Sequence, residues 1–300
     1  MRSKLKISLA VTSFTAATWY AIYAWPNKKN TMPFFKERHD RPLNIAHRGG
    51  CALAPEETLE AFVKAEQVGA DMFEYDVHIT KDGHLIASHD PTVDRITDGI
   101  GYINQLTLKE IKQLDAGANF QDSDGNNPYK DQGVQLATVE EIFLLFPHKR
   151  AVIELKDTND PAMYENLVQE MWRLIQQYQM EDKVVIGSFD HKINQRFKEV
   201  SQGRVAIGAG ESEAASYIKK LLLRLNGLAT TDAHSLQLPV KQSGFDLTQK
   251  NIIEGSRRKG IDIYYWTIND EASMRELIAK GVDGIMTDNP ELLRSILDEH

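Results

Sequence analysis

A single cysteine, Cys51, stands in 300 residues, so no internal disulfide can form and no CxxC pair offers a zinc site. Proline and glycine are sparse, at 10 and 19 residues, and no stretch is compositionally biased, which excludes collagen-like repeats and extended disorder. Basic residues are in deficit as well: 35 lysines and arginines against 43 acids leave a net charge of −8 at pH 7. A chain that grips nucleic acid by neutralising many phosphates has the opposite balance, so no nucleic-acid partner is expected. What is abundant is apolar side chain, 42% of the sequence, enough for one large core or two modest ones.

Charge is missing altogether from one segment. Ile7 to Trp25 (ISLAVTSFTAATWYAIYAW) holds no charged residue. As a helix it would span about 28 Å, close to the hydrocarbon core of a bilayer. Trp19, Tyr20, Tyr23 and Trp25 gather at its C-terminal end like an interfacial aromatic belt, Arg2, Lys4 and Lys6 precede it, and Pro26 ends it. It lacks a clear small-x-small cleavage site, which favours an anchor over a cleaved signal peptide. Residues 1–25 are therefore expected to be a transmembrane anchor or signal segment. The chain would sit at the cell membrane as a single-pass protein with the remainder extracytoplasmic, the alternative being secretion after cleavage. Lys28, Lys29, Lys36, Arg38 and Arg41 balance the N-terminal bases, so charge bias does not set the orientation. Residues 26–42, with Pro26, Pro33 and Pro42, read as a linker.

From residue 43 to residue 300, short apolar runs alternate with helical patterns. Strands are expected at Leu43–Ala46, Met72–Val77, Leu85–Ser88, Ala151–Leu155, Val184–Gly187, Val205–Ile207, Ile261–Thr267 and Gly284–Met286. Helices are expected at Thr58–Val68, Pro161–Tyr178, Gln249–Lys259 and Glu271–Ala279, with Thr58 as a cap and Pro161 at an early helical position. This alternation predicts an α/β fold with a parallel sheet, most simply a TIM (β/α)8 barrel, the doubly wound sheet being the alternative. Residues 91–149 are long for one connection and read as a small insertion after the His-Asp strand. Leu221–Gly244 shows no clear strand, so one is placed there by default.

Ionisable residues fall at the ends of these runs. His47 and Arg48 follow the first, before Gly49 and Gly50. Period-two alternation sends Glu74, Asp76 and His78 to one face of the second. The turn Lys81-Asp82-Gly83 leads to Leu85–Ser88, which delivers His89 and Asp90, and Glu154 and Lys156 share a face of an apolar strand. Buried charges of this kind are costly unless paired or metal-bound. In a TIM barrel the C-terminal strand ends form the site, so these residues would converge. Glu74, Asp76 and Glu154 are hard oxygen ligands suited to Mg²⁺ or Ca²⁺. His47 and His89 can serve as acid and base, and Arg48 and Lys156 can neutralise a bound phosphate. The set suits displacement at phosphorus. His78 and His84 read as core or surface residues and Cys51 as a packing residue.

These residues belong to a recognisable order of motifs. His47-Arg48-Gly49-Gly50 is followed by Ala54-Pro55-Glu56-Glu57-Thr58-Leu59-Glu60-Ala61-Phe62, then Glu74-Tyr75-Asp76-Val77, Thr80-Lys81-Asp82-Gly83 and His89-Asp90. Ile153-Glu154-Leu155-Lys156, Trp266-Thr267-Ile268-Asn269 and Gly281 to Asp288 continue it. The chain from about Leu43 to Leu297 resembles the glycerophosphodiester phosphodiesterase family, thinly between Val205 and Gly244. The resemblance implies a TIM barrel that hydrolyses glycerophosphodiesters such as glycerophosphocholine to glycerol 3-phosphate and an alcohol, with a divalent cation. It implies metal ligands at Glu74, Asp76 and Glu154, an acid/base pair at His47 and His89, and phosphate contacts from Arg48 and Lys156. By the same likeness Glu56 lies near the metal and Trp266 lines the substrate pocket. Glu57 departs from the family's usual Asn, and Ala137 from a common Pro before Thr138.

A lysophospholipase D-like enzyme on the same barrel is the alternative, marked by an apolar mouth to the site. A non-enzymatic binding module is a third reading, against which the intact His47, His89, Glu74, Asp76 and Glu154 argue. Attack by water and attack by the glycerol's own hydroxyl through a cyclic phosphate are both compatible with these residues.

Overall fold

The first strand of the described residues, β1 (Leu43–Ala46), pairs in parallel with the last and, on its other side, with the second, so strands far apart in sequence close one sheet. The structure, a computed structural model, describes residues 32–35 and 40–299. After β1 come β2 (Met72–Ile79), β3 (Leu85–Ala87), β4 (Arg150–Leu155), β5 (Val184–Gly187), β6 (Ala206–Ile207) and β7 (Ser235–Leu238). A two-strand hairpin of β8 (Lys241–Gln242) and β9 (Phe245–Asp246) precedes β10 (Asp262–Tyr265) and β11 (Gly284–Thr287). The sheet runs β6-β5-β4-β2-β1-β11-β10-β7, all parallel, and a parallel bridge from Gly208 to Ser235 joins its two edges. Eight parallel strands thus form a TIM-like barrel. β3 lies outside the ring, antiparallel on β2.

Strands buried on both faces read as continuous apolar runs, and all eight residues of β2 are buried. The inner layer is Ile45, Met72, Val152, Val185, Ala206, Tyr264 and Met286. Gly284 has no room for a side chain, because a Cβ there would lie 2.8 Å from the Tyr264 ring and 2.9 Å from Ile45. Phe34 packs into the same inner cluster, and its ring lies under the Arg150 guanidinium at 4.1 Å. Part of the stretch read as linker therefore plugs the end of the barrel where the strands begin. The apolar run Ile7–Trp25 lies outside the described residues. Among the described residues, no helix is long and apolar enough to cross a membrane.

Helices return the chain between strands. Leu59–Gln67 starts at Thr58, whose Oγ1 accepts the Ala61 amide. Tyr164–Gln177 follows a 3-10 turn at Pro161–Met163. The insertion begins at Pro91 with its own small core of Val93, Ile96, Ile103, Ile111, Val134 and Leu136. The helix Val139–Leu145, inside the range read as insertion, is capped by a Thr138–Glu141 box and packs beside β3 on the way back into β4. The default strand of Leu221–Gly244 is β7, in register with β10 (Leu236 beside Ile263).

Candidate active site

The C-terminal strand ends open into one cavity of about 710 Å³ lined by His47, Arg48, Glu74, Asp76, His89, Glu154, Lys156 and Trp266. The sequence pattern explains the convergence. Glu74 and Asp76 are two apart in β2 and share its inner face, and Asp76 stands beside Glu154 of β4 in the parallel register. Gly49 and Gly50, with φ of +79° and +85°, turn the chain directly after His47-Arg48. That turn aims the Arg48 amide at Glu74 Oε2, 3.1 Å away.

Two buried carboxylates, Glu74 and Asp76, and the half-buried Glu154 face two cations. Lys156 Nζ lies 3.1 Å from Glu154 Oε1 and 3.4 Å from Asp76 Oδ1, and Arg48 Nε lies 3.6 Å from Asp76 Oδ2. Burial and then the charge of Asp76 push both Glu74 and Glu154 above the usual carboxylate range. Asp76 Oδ2 is buried without a hydrogen-bond partner. Crowded carboxylates with an orphaned oxygen fit a hard divalent cation. The ligand oxygens are not drawn tightly together, however. Among the described residues, the His, Cys, Asp and Glu group whose ligand atoms all lie within 4.8 Å is His47, Cys51 and Asp288. Its thiol is a soft donor, foreign to Mg²⁺ or Ca²⁺ sites. Burial and the neighbouring Asp288 push that thiol up, as expected of a packing cysteine.

The two histidines have separate carboxylate partners. His47 Nε2 is 3.9 Å from Glu74 Oε2, and its Nδ1 is 2.6 Å from Asp288 Oδ1. Burial opposes a charge on His47, but the Asp288 hydrogen bond and the Glu74 charge outweigh it and raise the imidazole pKa. Asp288 is held in turn by Asn269, whose Nδ2 donates to Oδ2 at 2.6 Å. His89 Nδ1 is 2.8 Å from Asp90 Oδ1, yet burial dominates and lowers its pKa. Glu56 does not line the cavity; it stands behind Arg48 and accepts from Nη1 at 3.1 Å. His78 is a buried structural residue held by the Ser88 carbonyl and Thr158, and burial takes it down to about 4.

Three residues of the site were not legible in the sequence. Asn269 and Asp288 lie in quoted motifs, but nothing local shows that they face His47. Glu57, which in the sequence only departs from the family's usual Asn, is fully buried with φ of +62° and accepts the Asp76 amide at 3.1 Å.

The far wall of the cavity is apolar: Ala214, Ile218 and Leu222 of the helix Glu211–Leu222, with Leu238, Phe245 and Phe189. Phe189 and Phe245 are partly exposed, and Phe189 meets Trp266 edge-to-face at 6.1 Å.

A sequence model of the glycerophosphoryl diester phosphodiesterase family matches residues 47–292. A glycerophosphodiester phosphodiesterase of Caldanaerobacter subterraneus subsp. tengcongensis is 33% identical over 260 residues, 86% of this chain and 98% of that protein. The human (Homo sapiens) lysophospholipase D GDPD1 is 28% identical over 282 residues, 85% of each chain. An Oleispira antarctica phosphodiesterase, solved with its product sn-glycerol-3-phosphate, superposes with a TM-score of 0.70 at 27% identity, over 86% of this chain and 97% of that one. With a barrel whose strand ends gather two histidines and three carboxylates, and a relative a third identical along nearly its whole length, the chain belongs to the glycerophosphoryl diester phosphodiesterase family.

Proposed function

We propose that this enzyme hydrolyses glycerophosphodiesters such as glycerophosphocholine to glycerol 3-phosphate and an alcohol, with a divalent cation, Mg²⁺ or Ca²⁺, as cofactor. The observation that carries the reading is the meeting of His47 and His89, from different strands, in the cavity that Arg48, Lys156 and the three carboxylates line. Glu74, Asp76 and Glu154 would hold the cation, which supplies charge to offset that developing on the phosphoryl oxygens. Arg48 presents a planar guanidinium to the phosphate and Lys156 a point charge. Acid/base catalysis at phosphorus needs one histidine with a proton to give and one ready to accept. The opposite shifts divide the roles: His47 gives its proton to the leaving alkoxide as the P–O bond breaks, and His89 accepts one from the nucleophile, either water or the glycerol hydroxyl, whose cyclic phosphate water then opens. Trp266 closes the side of the pocket.

A second reading, hydrolysis of lysophospholipids in the manner of a lysophospholipase D, draws support from the apolar wall opposite the charged residues. An acyl chain would lie between the helix Glu211–Leu222 and Phe245. We also place the enzyme at the cell membrane through Ile7–Trp25, with the barrel extracytoplasmic, or in the medium after cleavage.

The test is a substrate panel on residues 26–300: glycerophosphocholine, glycerophosphoethanolamine and lysophosphatidylcholine, with Mg²⁺, Ca²⁺ or excess chelator. Release of glycerol 3-phosphate from the first two, lost in His47→Ala and His89→Ala, is expected, and near-native turnover by either variant overturns the acid/base pair. Full activity in chelator removes the cation. Fractionation of the full-length chain against residues 26–300 reports the anchor.

A further inference from the structure

Arg95, in the insertion, joins two parts of the site that come from different strands. Its Nε donates to Asp90 Oδ2 at 2.5 Å, and Nη1 and Nη2 grip Glu56 Oε2 and Oε1 at 2.9 and 2.7 Å. Asp90 is the partner of His89 Nδ1, and Glu56 is the partner of Arg48 Nη1. An unbroken ionic chain therefore runs His89–Asp90–Arg95–Glu56–Arg48. Arg95 itself does not line the cavity. Its backbone is tied down independently, since Asn119 Nδ2 donates to the Arg95 carbonyl at 3.1 Å.

We propose that Arg95 is a positioning residue that holds the acid/base histidine and the phosphate-binding arginine in one fixed relation. The inference rests on the roles given above to His89 and Arg48. Two carboxylates on different segments are bridged here by a single planar group with five donors. A lysine ammonium would reach either one but could not fork to both. Asp90 then presents its other oxygen, Oδ1, to His89, and Glu56 Oε1 accepts from both Arg95 Nη2 and Arg48 Nη1. The insertion thus contributes to catalysis through its first turn, without touching substrate. A held orientation matters because displacement of a reacting group by about 1 Å can cost about 100-fold in rate.

The test splits kcat from KM on glycerophosphocholine. Asp90→Asn should lower kcat with little change in KM, and Glu56→Gln should raise KM more than it lowers kcat. Arg95→Ala should do both, with a total loss in kcat/KM of about 10- to 100-fold. Its loss should be less than additive with Asp90→Asn, because both cut the same chain. Arg95→Lys should recover one arm but not both. Added guanidinium ion should restore part of the Arg95→Ala activity, a rescue that a folding defect would not show. Wild-type kcat and KM in Arg95→Ala, or full additivity with both carboxylate variants, overturns the inference. His89→Ala is the reference: if that variant stays active the reading of the site fails, whereas an inactive His89→Ala beside a wild-type Arg95→Ala removes only Arg95.

Discussion

His47 Nδ1 and Asp288 Oδ1 are 2.6 Å apart although 241 residues separate them in sequence. The pair is a consequence of barrel register. Ala46 at the end of β1 stands beside Thr287 at the end of β11, so the next residue of each strand emerges side by side above the sheet. Although burial disfavours its charge, hydrogen bonds from His47 and Cys51 hold Asp288 down to about 2, so it is ionised throughout the working range. Its carboxylate accepts the Nδ1–H of the protonated imidazole and leaves the Nε2 proton facing the cavity.

Asp288→Asn should therefore keep the fold and lose kcat by at least about 100-fold, the scale of acid/base assistance. Because Asp288 raises the His47 pKa, the limb of the pH–rate profile that belongs to His47 should move to lower pH. An unshifted profile with unchanged kcat would show that the pair is merely structural.

Much of this site could be read from the sequence because its parts are local. Strands such as Leu43–Ala46 and Val184–Gly187 have no competing periodicity, and they fall where apolar runs meet turn residues. Glu74, Asp76, Glu154 and Lys156 announce themselves as charges inside such strands. What stayed hidden is what depends on register or on distant loops. Asp288 and Arg95 look like ordinary surface residues until barrel closure and the insertion bring them to His47 and Asp90. β7 (Ser-Leu-Gln-Leu) alternates polar and apolar residues after a long loop, so it lacks the run that marked its neighbours. Phe34 hid in a proline-bearing stretch because only the finished barrel offers its ring a floor.

Cation binding should release protons. Glu74 and Glu154 are held above the usual carboxylate range by burial and by Asp76, and ligation requires them ionised. Affinity for Mg²⁺ or Ca²⁺ should rise with pH through neutrality and level off above about 8, because Glu74 is pushed up to about 7 and Glu154 to about 8. Titration calorimetry in buffers of different ionisation enthalpy should register the protons released. Glu154→Gln should bind at least about tenfold more weakly, a ligand mattering at least as much as the groups that support one. Binding without proton release, or unaltered in Glu154→Gln, would exclude this donor set.

Glu57 gives a stability prediction with a definite sign. Burial, then Asp76 and Glu74, raise its pKa well above the usual range, and Oε2 has no hydrogen-bond partner. The folded state thus holds the proton more tightly than the unfolded chain. The stability this allows is complete below the ordinary glutamate pKa of about 4.3 and is lost as pH rises through the raised folded value. Glu57→Gln cannot ionise, yet it retains an oxygen for the Asp76 amide. In chelator, its Tm should match the wild type near pH 4 and exceed it by at least about 2 °C at pH 8. A gap independent of pH would mean that Glu57 is not the titrating group.

Phe245 separates the two substrate readings. Its ring is 58% exposed at the end of the β8–β9 hairpin and lines the apolar wall of the cavity, so its removal should leave the core intact. A glycerophosphodiester with a small head group places its charges against Arg48 and Lys156 and needs nothing from that wall. An acyl chain would lie along it, and burying a phenyl ring against hydrocarbon is worth about 1.5–3 kcal/mol. Phe245→Ala should then raise KM for lysophosphatidylcholine about tenfold or more while KM for glycerophosphocholine stays put. Equal effects on both substrates, or none on either, would take the acyl chain away from this wall.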